Sequence, residues 1–359
     1  MDFGLSEEQE LLQETVRSFI AGECPPTRLR ELFDEGVGHD AALWKGLSEI
    51  GLTGLVVPEG HGGAGLEALE LALVAEALGG GAVPGPFAEH SLVCLALSLA
   101  GSEAQQKRWL PALAAGDLVG SVALAESAEE WEPDAWRLEL RDGGLHGEKR
   151  FVPFAGQAGL LLVGIRGGGL AIVEAGAPGL EIVDENGIDR TRPIARVRFD
   201  GTPAEALPGG EAAAPRVRDA GLVVLAADAF GVAWRLVEMT RDYAKDRKQF
   251  GQPIAQFQAV KHQIADMAVE VEPSRGLFWY AAHALDHLPD EAERAAAVAK
   301  SHLTDRALDV ARAAVELHGG LGFTWECDVQ MWFKRAMFDR AFLGTPEHHR
   351  DRSATLAGW

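Results

Sequence analysis

The spacing of apolar residues changes its period twice along this chain, and that double change restricts the fold more than any other feature. Ser6 followed by Gln9 makes a capping-box start, and Leu12, Val16, Phe19 and Ile20 then recur three and four residues apart, as on one helix face. Stretches 66–78 and 103–113 read as further helices, with the Gly- and Pro-rich run 79–86 between them. Near residue 119 the helical signal stops. Residues 138–140 lead into Asp142-Gly143-Gly144, a hairpin signal, and runs 160–165 and 170–173 flank Gly167-Gly168-Gly169. Ala195, Val197 and Phe199 alternate with Arg196 and Arg198, as a strand with one wet face should. After Ala212 the helices return: 223–246 is almost uninterrupted, and Leu303, Ala307, Val310, Ala314 and Leu317 step by fours and threes, a bundle seam. The expectation is a mainly α protein with a central β domain: helices over 1–118, a small antiparallel β domain over 119–206, and a helical bundle over 207–359.

A chain of 359 residues has room for roughly two or three domains. Its net charge of -21 excludes nucleic acid, whose phosphates need a basic surface, and disfavours anionic membranes. Cys24, Cys94 and Cys327 are too scattered for a metal frame and fit a reducing cytoplasm. The acidic start MDFGLSEEQE is unlike a signal or transit peptide, and no apolar run is expected to reach the roughly 20 residues of a membrane span. The expected location is cytoplasmic.

Generic catalytic frames are absent. His348-His349 and the isolated His61, His90 and His302 lack partners at metal-ligand spacing, so surface or satisfied histidines are expected and no metal. The glycine-rich segment 60–65 follows Pro58-Glu59 rather than a strand and has no later Lys-Ser/Thr, which argues against a phosphate loop.

Four collinear motifs carry more information. Asp246-Arg247-Lys248-Gln249-Phe250-Gly251-Gln252-Pro253-Ile254, followed by Phe257-Gln258, resembles the RxxFG…FQ signature of acyl-CoA dehydrogenases, and 316–324 (ELHGGLGFT) resembles their QxxGGxGxT signature. Gly51-Leu52-Thr53-Gly54 with 58–63 resembles their GL…PExxGG element, and Gly101-Ser102-Glu103 with Gln106-Lys107 and Trp109-Leu110-Pro111 fits GSExQKxxWLP. The resemblance runs in order from about Met1 to Arg352. It implies a helical domain, an antiparallel β-barrel domain and a C-terminal four-helix bundle. It also implies FAD bound between subunits, an acyl-CoA substrate and electron-transferring flavoprotein as acceptor. The positions matched by Arg247, Gln249, Phe250, Gln258, Glu316, Gly319, Gly320 and Thr345 would serve FAD, most of them a neighbour's. A guanidinium suits pyrophosphate, and glycines let backbone approach it closely. Asp219 matches an aspartate near the CoA end.

Other positions break the family pattern. Where relatives carry T-E-P-x-A-G-S-D this chain has Ala125-Glu126-Ser127-Ala128-Glu129-Glu130, and the flavin-covering W-I-T is Phe151-Val152-Pro153, whose proline has no N–H to donate. The usual base is the Glu of Y-E-G-T; the matching run is Phe342-Leu343-Gly344-Thr345. The alternative base position falls on Gly221, and the neighbouring CoA-contacting arginine on Leu222. Glu316 replaces the glutamine of the second signature and would repel a diphosphate. The losses fall on the parts that hold a chain's own flavin ring and substrate, while most parts that serve a neighbour's FAD are kept. That asymmetry resembles the actinobacterial heterotetrameric acyl-CoA dehydrogenases of steroid side-chain degradation. No catalytic residue is therefore assigned to this chain, and a second dehydrogenase subunit in an α2β2 complex is the expected partner. Two other readings stand beside it. One is a self-sufficient homotetramer with a non-standard base, for which Asp228, two turns after Gly221 in an apolar stretch, is the weak candidate. The other is a non-enzymatic scaffold or acyl-CoA-binding homologue.

Overall fold

The computed structural model describes residues 4–36 and 38–359; residues 1–3 of the acidic start and Val37 lie outside the described residues. The chain opens on helices α1 (Glu7–Glu23), α2 (Pro26–Glu35), α3 (Ala41–Glu49), α4 (Ala68–Gly80), α5 (Phe87–Ala100) and α6 (Glu103–Ala114). The Ser6–Gln9 capping box forms as expected, and a second one, Ser102 with Gln105, starts α6. Helix α5 carries no sequence signal of its own. It is buried on almost every side from Phe87 to Leu97, so it lacks the polar face that makes a helix visible as a period.

Eight strands follow among the described residues: β1 (Gly120–Ala123), β2 (Glu139–Arg141), β3 (Gly144–Pro153), β4 (Leu160–Ile165), β5 (Gly169–Glu174), β6 (Leu180–Glu185), β7 (Ile194–Pro203) and β8 (Glu205–Ala206). They form two open four-stranded sheets, β1-β4-β5-β8 and β2-β3-β7-β6, rather than one closed barrel. Alternate side chains of both sheets (Leu161, Val163 and Val173 against Leu145, Val197 and Phe199) share one core. The other face of the first sheet, including Leu160, Leu162 and Ile172, packs into the helical core. Burial on both faces is why 160–165 reads as a continuous apolar run. The expected hairpin joins β2 to β3, with Asp142 and Gly143 both at positive φ (50° and 79°), as a type I′ turn requires. The expectation of a purely antiparallel domain is corrected at β1, which pairs parallel with β4. Between them the chain passes through β2 and β3 of the other sheet and so re-enters the first sheet running the same way.

Helix α7 (Gly210–Asp246) leads the C-terminal part, starting thirteen residues before the stretch expected from periodicity. Its length and hydropathy alone would let it cross a membrane, but 89% of the relevant window is buried inside the protein. A two-residue ribbon, β9 (Lys248–Gln249) with β10 (Gln252–Pro253), interrupts the helices where only helix was expected. Helices α8 (Gln258–Val271), α9 (Arg275–His287), α10 (Pro289–Leu317), α11 (Val329–Ala341) and α12 (Pro346–Leu356) complete the chain. Helices α7 to α10 pack as a four-helix bundle, with α11 and α12 against α10. Leu303, Ala307, Val310 and Ala314 form the buried seam of α10. Helices α4 and α7 cross at backbone contact: a Cβ on Gly231 would lie 2.0 Å from the Glu76 carbonyl oxygen, and one on Gly79 would lie 2.2 Å from that of Asp228.

Candidate cofactor and substrate site

The residues expected to serve a neighbour's FAD gather at one exposed end of the bundle. Arg247 caps α7, and its backbone oxygen accepts from Ile254 N–H at 2.8 Å, closing the small ribbon. Phe250 at its tip has φ 50° and is 92% exposed, edge-on to Phe257. Gln249 and Gln258 are exposed as well. Tyr243, one turn before Arg247, stacks on His318 with ring centroids 4.3 Å apart, which brings the end of α7 beside Gly319 and Gly320. A Cβ on either glycine would meet nothing within 4 Å, so bare backbone faces open space there, and Gly319 has φ 61°. The Arg247 side chain has no hydrogen bond or ion pair among the described residues. A guanidinium without a partner among the described residues, an exposed ring and glycine backbone facing open space fit a diphosphate-bearing dinucleotide. Glu316, on the exposed face of α10, does not fit that charge.

Of the positions expected from the family pattern to hold this chain's own flavin ring and substrate, Gly221, Leu343 and Pro153 are buried and Phe151 is half-buried. Leu343 is 1% exposed and has φ 57°, and a Cβ on Gly221 would lie 2.5 Å from its Cδ1. The two base positions therefore touch, and neither carries a group that takes a proton. Phe151 has φ 55°, and the Pro153 carbonyl accepts from the Ser121 hydroxyl. Thr345 accepts from His348 N–H at 3.4 Å and starts α12.

The carboxylates singled out from sequence are both engaged. Asp219 is buried, hydrogen-bonded to Arg218 Nε at 3.0 Å and Arg352 Nη2 at 3.2 Å, so a CoA contact would have to displace one of them. Asp228, isolated among apolar residues in the sequence, is a satisfied structural carboxylate in the fold. Its Oδ1 accepts from Arg335 Nε at 3.0 Å, and its Oδ2 accepts from Arg335 Nη2 at 3.0 Å and Arg192 Nη2 at 2.8 Å. Burial opposes its ionisation, but the Arg335 and Arg192 charges outweigh burial and hold it below the usual carboxylate range. Nearby, burial and the Asp228 charge raise Asp339 well above that range, while burial takes Lys300 down to about 7. Sequence reasoning missed Arg335 and Asp339. Their signal was a charged pair set in the apolar stripe of Val329, Trp332 and Ala336 on α11, a pattern that implies a buried partner.

His348 and His349 are not surface histidines as a pair. His349 is wholly buried, its Nε2 bonded to the Leu343 carbonyl at 2.8 Å, and burial takes its pKa down to about 3. Ligand atoms of Glu132, His348 and His349 lie within 4.8 Å of one another. Arg218 and Arg352 lie against the same Glu132 carboxylate, however, so a cation there would face two guanidiniums.

The model of the acyl-CoA dehydrogenase C-terminal domain matches residues 219–356, and that of the N-terminal domain matches residues 6–117. The chain is 32% identical over 341 residues to the acyl-CoA dehydrogenase IpdE2 of Mycobacterium tuberculosis, covering 95% of this chain and 94% of that protein. Among solved structures it superposes on the Tcur3481-Tcur3483 steroid ACAD with a TM-score of 0.88, at 31% identity over 98% of each chain. It superposes on PigA, solved with FAD and proline, with a TM-score of 0.89 at 25% identity, over 100% of this chain and 99% of that one. With both domain models matched in chain order across the helix–sheet–helix layout described above, the chain belongs to the acyl-CoA dehydrogenase family.

Proposed function

We propose that this chain is the non-catalytic subunit of an α2β2 FAD-dependent acyl-CoA dehydrogenase, contributing half of a shared FAD site to its partner. One observation carries the reading: Gly221 and Leu343, the two positions from which a base would act, pack against each other with no proton acceptor on either. Arg247, with Gln249, Phe250, Gln258, Gly319 and Gly320, would hold the adenine and pyrophosphate half of the partner's FAD, Arg247 through charge-assisted hydrogen bonds. Bound FAD supplies the acceptor for hydride from Cβ of the acyl-CoA. The partner's carboxylate removes the weakly acidic α-proton, giving a trans-2-enoyl-CoA. The reading keeps three domains, 1–118, 119–206 and 207–359, a cytoplasmic location and electron-transferring flavoprotein as acceptor. Likeness to a solved two-chain steroid ACAD supports both the heteromeric assembly and a steroid-derived acyl-CoA.

The test is co-expression with the dehydrogenase encoded by the adjacent gene, followed by flavin counting and dye-linked assay. Activity only in the co-purified complex, with two FAD per four chains, is the expected result. A yellow homomer of this chain that oxidises acyl-CoA unaided would refute it.

A further inference from the structure

We infer that this chain fills its own flavin-ring pocket with side chains, Trp131 acting as a plug and Glu132 as the latch that keeps it seated. The inference rests on the non-catalytic reading above and goes beyond a missing base: it says the slot is physically occupied.

Trp131 lies in the connection from β1 to β2 and is 6% exposed. Its ring sits 5.9 Å from Phe151 on β3 and edge-on to Phe342, at 5.3 Å between centroids. It therefore spans the gap between Phe151, which stands where relatives carry the flavin-covering tryptophan, and the loop that carries Leu343, which stands where they carry the base. Both walls are held in a costly backbone shape. Phe151 and Leu343 are bulky residues in the left-handed region, where an L side chain costs about 1–2 kcal/mol. Such conformations persist where the surroundings over-determine them, and they cluster at ligand sites. Here the indole of Trp131, with the phenyl groups of Phe151 and Phe342, packs beside both strained positions. Cavities of about 570 and 370 Å³ are lined instead by residues such as Cys24 and Trp332, and Ala255 and Ala268.

The residue next to the plug fastens it. The Glu132 carboxylate accepts from Arg218 of α7 and from His348 Nε2 at 2.9 Å, and Arg352 Nε lies 3.8 Å away. Burial works against the charge, yet the His348 hydrogen bond and the two guanidiniums hold Glu132 at about 2. The β1–β2 connection is thus pinned to α7 and α12 immediately beside the indole. What the plug displaces is flat and fused, so the class of ligand that would replace it is a planar heteroaromatic ring.

Lumiflavin tests this, because it has the ring but no diphosphate and so makes no use of Arg247. Titrated against the chain alone, it should leave its fluorescence unchanged. Trp131→Ala should open an apolar slot of the kind that admits a flat ring, quenching lumiflavin with at least tenfold tighter binding, and Trp131→Leu should show a smaller gain. Glu132→Gln should speed amide hydrogen exchange across 124–138 several-fold, because the indole is then held less firmly in its seat. Lumiflavin binding to the unmodified chain as tight as to the variants would overturn the plug, as would folded Trp131 variants that stay silent. If neither Trp131 variant folds, unchanged exchange in Glu132→Gln overturns it. These outcomes are separate from the proposed function: silent variants leave a partner-dependent subunit intact, whereas activity of the chain alone removes that reading first.

Discussion

Replacing Asp228 by asparagine separates a structural carboxylate from a catalytic one. Asp228 accepts three hydrogen bonds from two guanidiniums, at 2.8, 3.0 and 3.0 Å, and all three side chains are less than 5% exposed. Removing one member of such a buried set leaves charge without compensation and costs about 3–5 kcal/mol. Asparagine also turns an N–H₂ toward donors, so at least one bond is lost rather than weakened. Part of the loss is returned locally. Burial and the Asp228 charge raise the Asp339 pKa well above the usual carboxylate range; with the Asp228 charge gone, the Arg192 and Arg335 charges favour its ionisation. The lower end applies, about 3 kcal/mol. For a slope of about 3 kcal/mol per molar, the urea midpoint of the assembled complex should fall by about 1 M. Asp339→Asn removes a carboxyl whose ionisation burial opposes, so it should cost less than Asp228→Asn, about 1 kcal/mol. Activity of the Asp228→Asn complex, assayed where it remains folded and flavin-loaded, should stay within a few-fold, since Asp228 lies about 10 Å along α7 from Gly221. A loss of about 100- to 10,000-fold with stability unchanged would identify a general base and refute the reasoning.

Gly231→Ala should destabilise by about 1–3 kcal/mol, because its methyl group would lie 2.0 Å from the Glu76 carbonyl and force α4 away from α7; a thermal melt within error of the parent would show that the crossing is looser. Arg247→Ala should weaken FAD retention in the complex by about 1.5–3 kcal/mol while leaving the chain's own melting unchanged, since that side chain is unpaired; equal flavin affinity would remove Arg247 from the site. Acid should destabilise the fold through His90. Its Nε2 donates to the Thr53 carbonyl, its Nδ1 accepts from Gly120 N–H, and burial lowers its pKa from 6.5 to about 4. The folded state thus binds fewer protons than the unfolded one. Its contribution is whole above pH 6.5 and is lost as pH falls from 6.5 to about 4, on the order of 3 kcal/mol. His90→Gln should flatten that part of the urea-midpoint profile, and an identical pH profile would show that His90 is not its source.

Local physics made much of this protein readable from its residues. A capping box needs only Ser6 and Gln9, a type I′ hairpin only Asp142-Gly143, and the seam of α10 only its spacing, because each is decided within a few neighbours. Leu343 in place of Glu was equally plain, since a side chain that cannot take a proton cannot do so in any fold. Helix α5 stayed hidden because burial on almost every side erases the period that betrays a helix. The parallel pairing of β1 with β4 depends on where the chain goes between Ala123 and Leu160, which no local pattern records. Asp228 looked solitary because its partners, Arg192 and Arg335, are distant in sequence and reach it only when the β6–β7 connection and α11 close over α7. Trp131 read as one apolar residue in a divergent loop; its place between Phe151 and Phe342 exists only once sheet and bundle are packed. Side-chain chemistry and short-range spacing belong to the sequence itself, whereas which charges neutralise each other and which space is left empty are set by long-range packing.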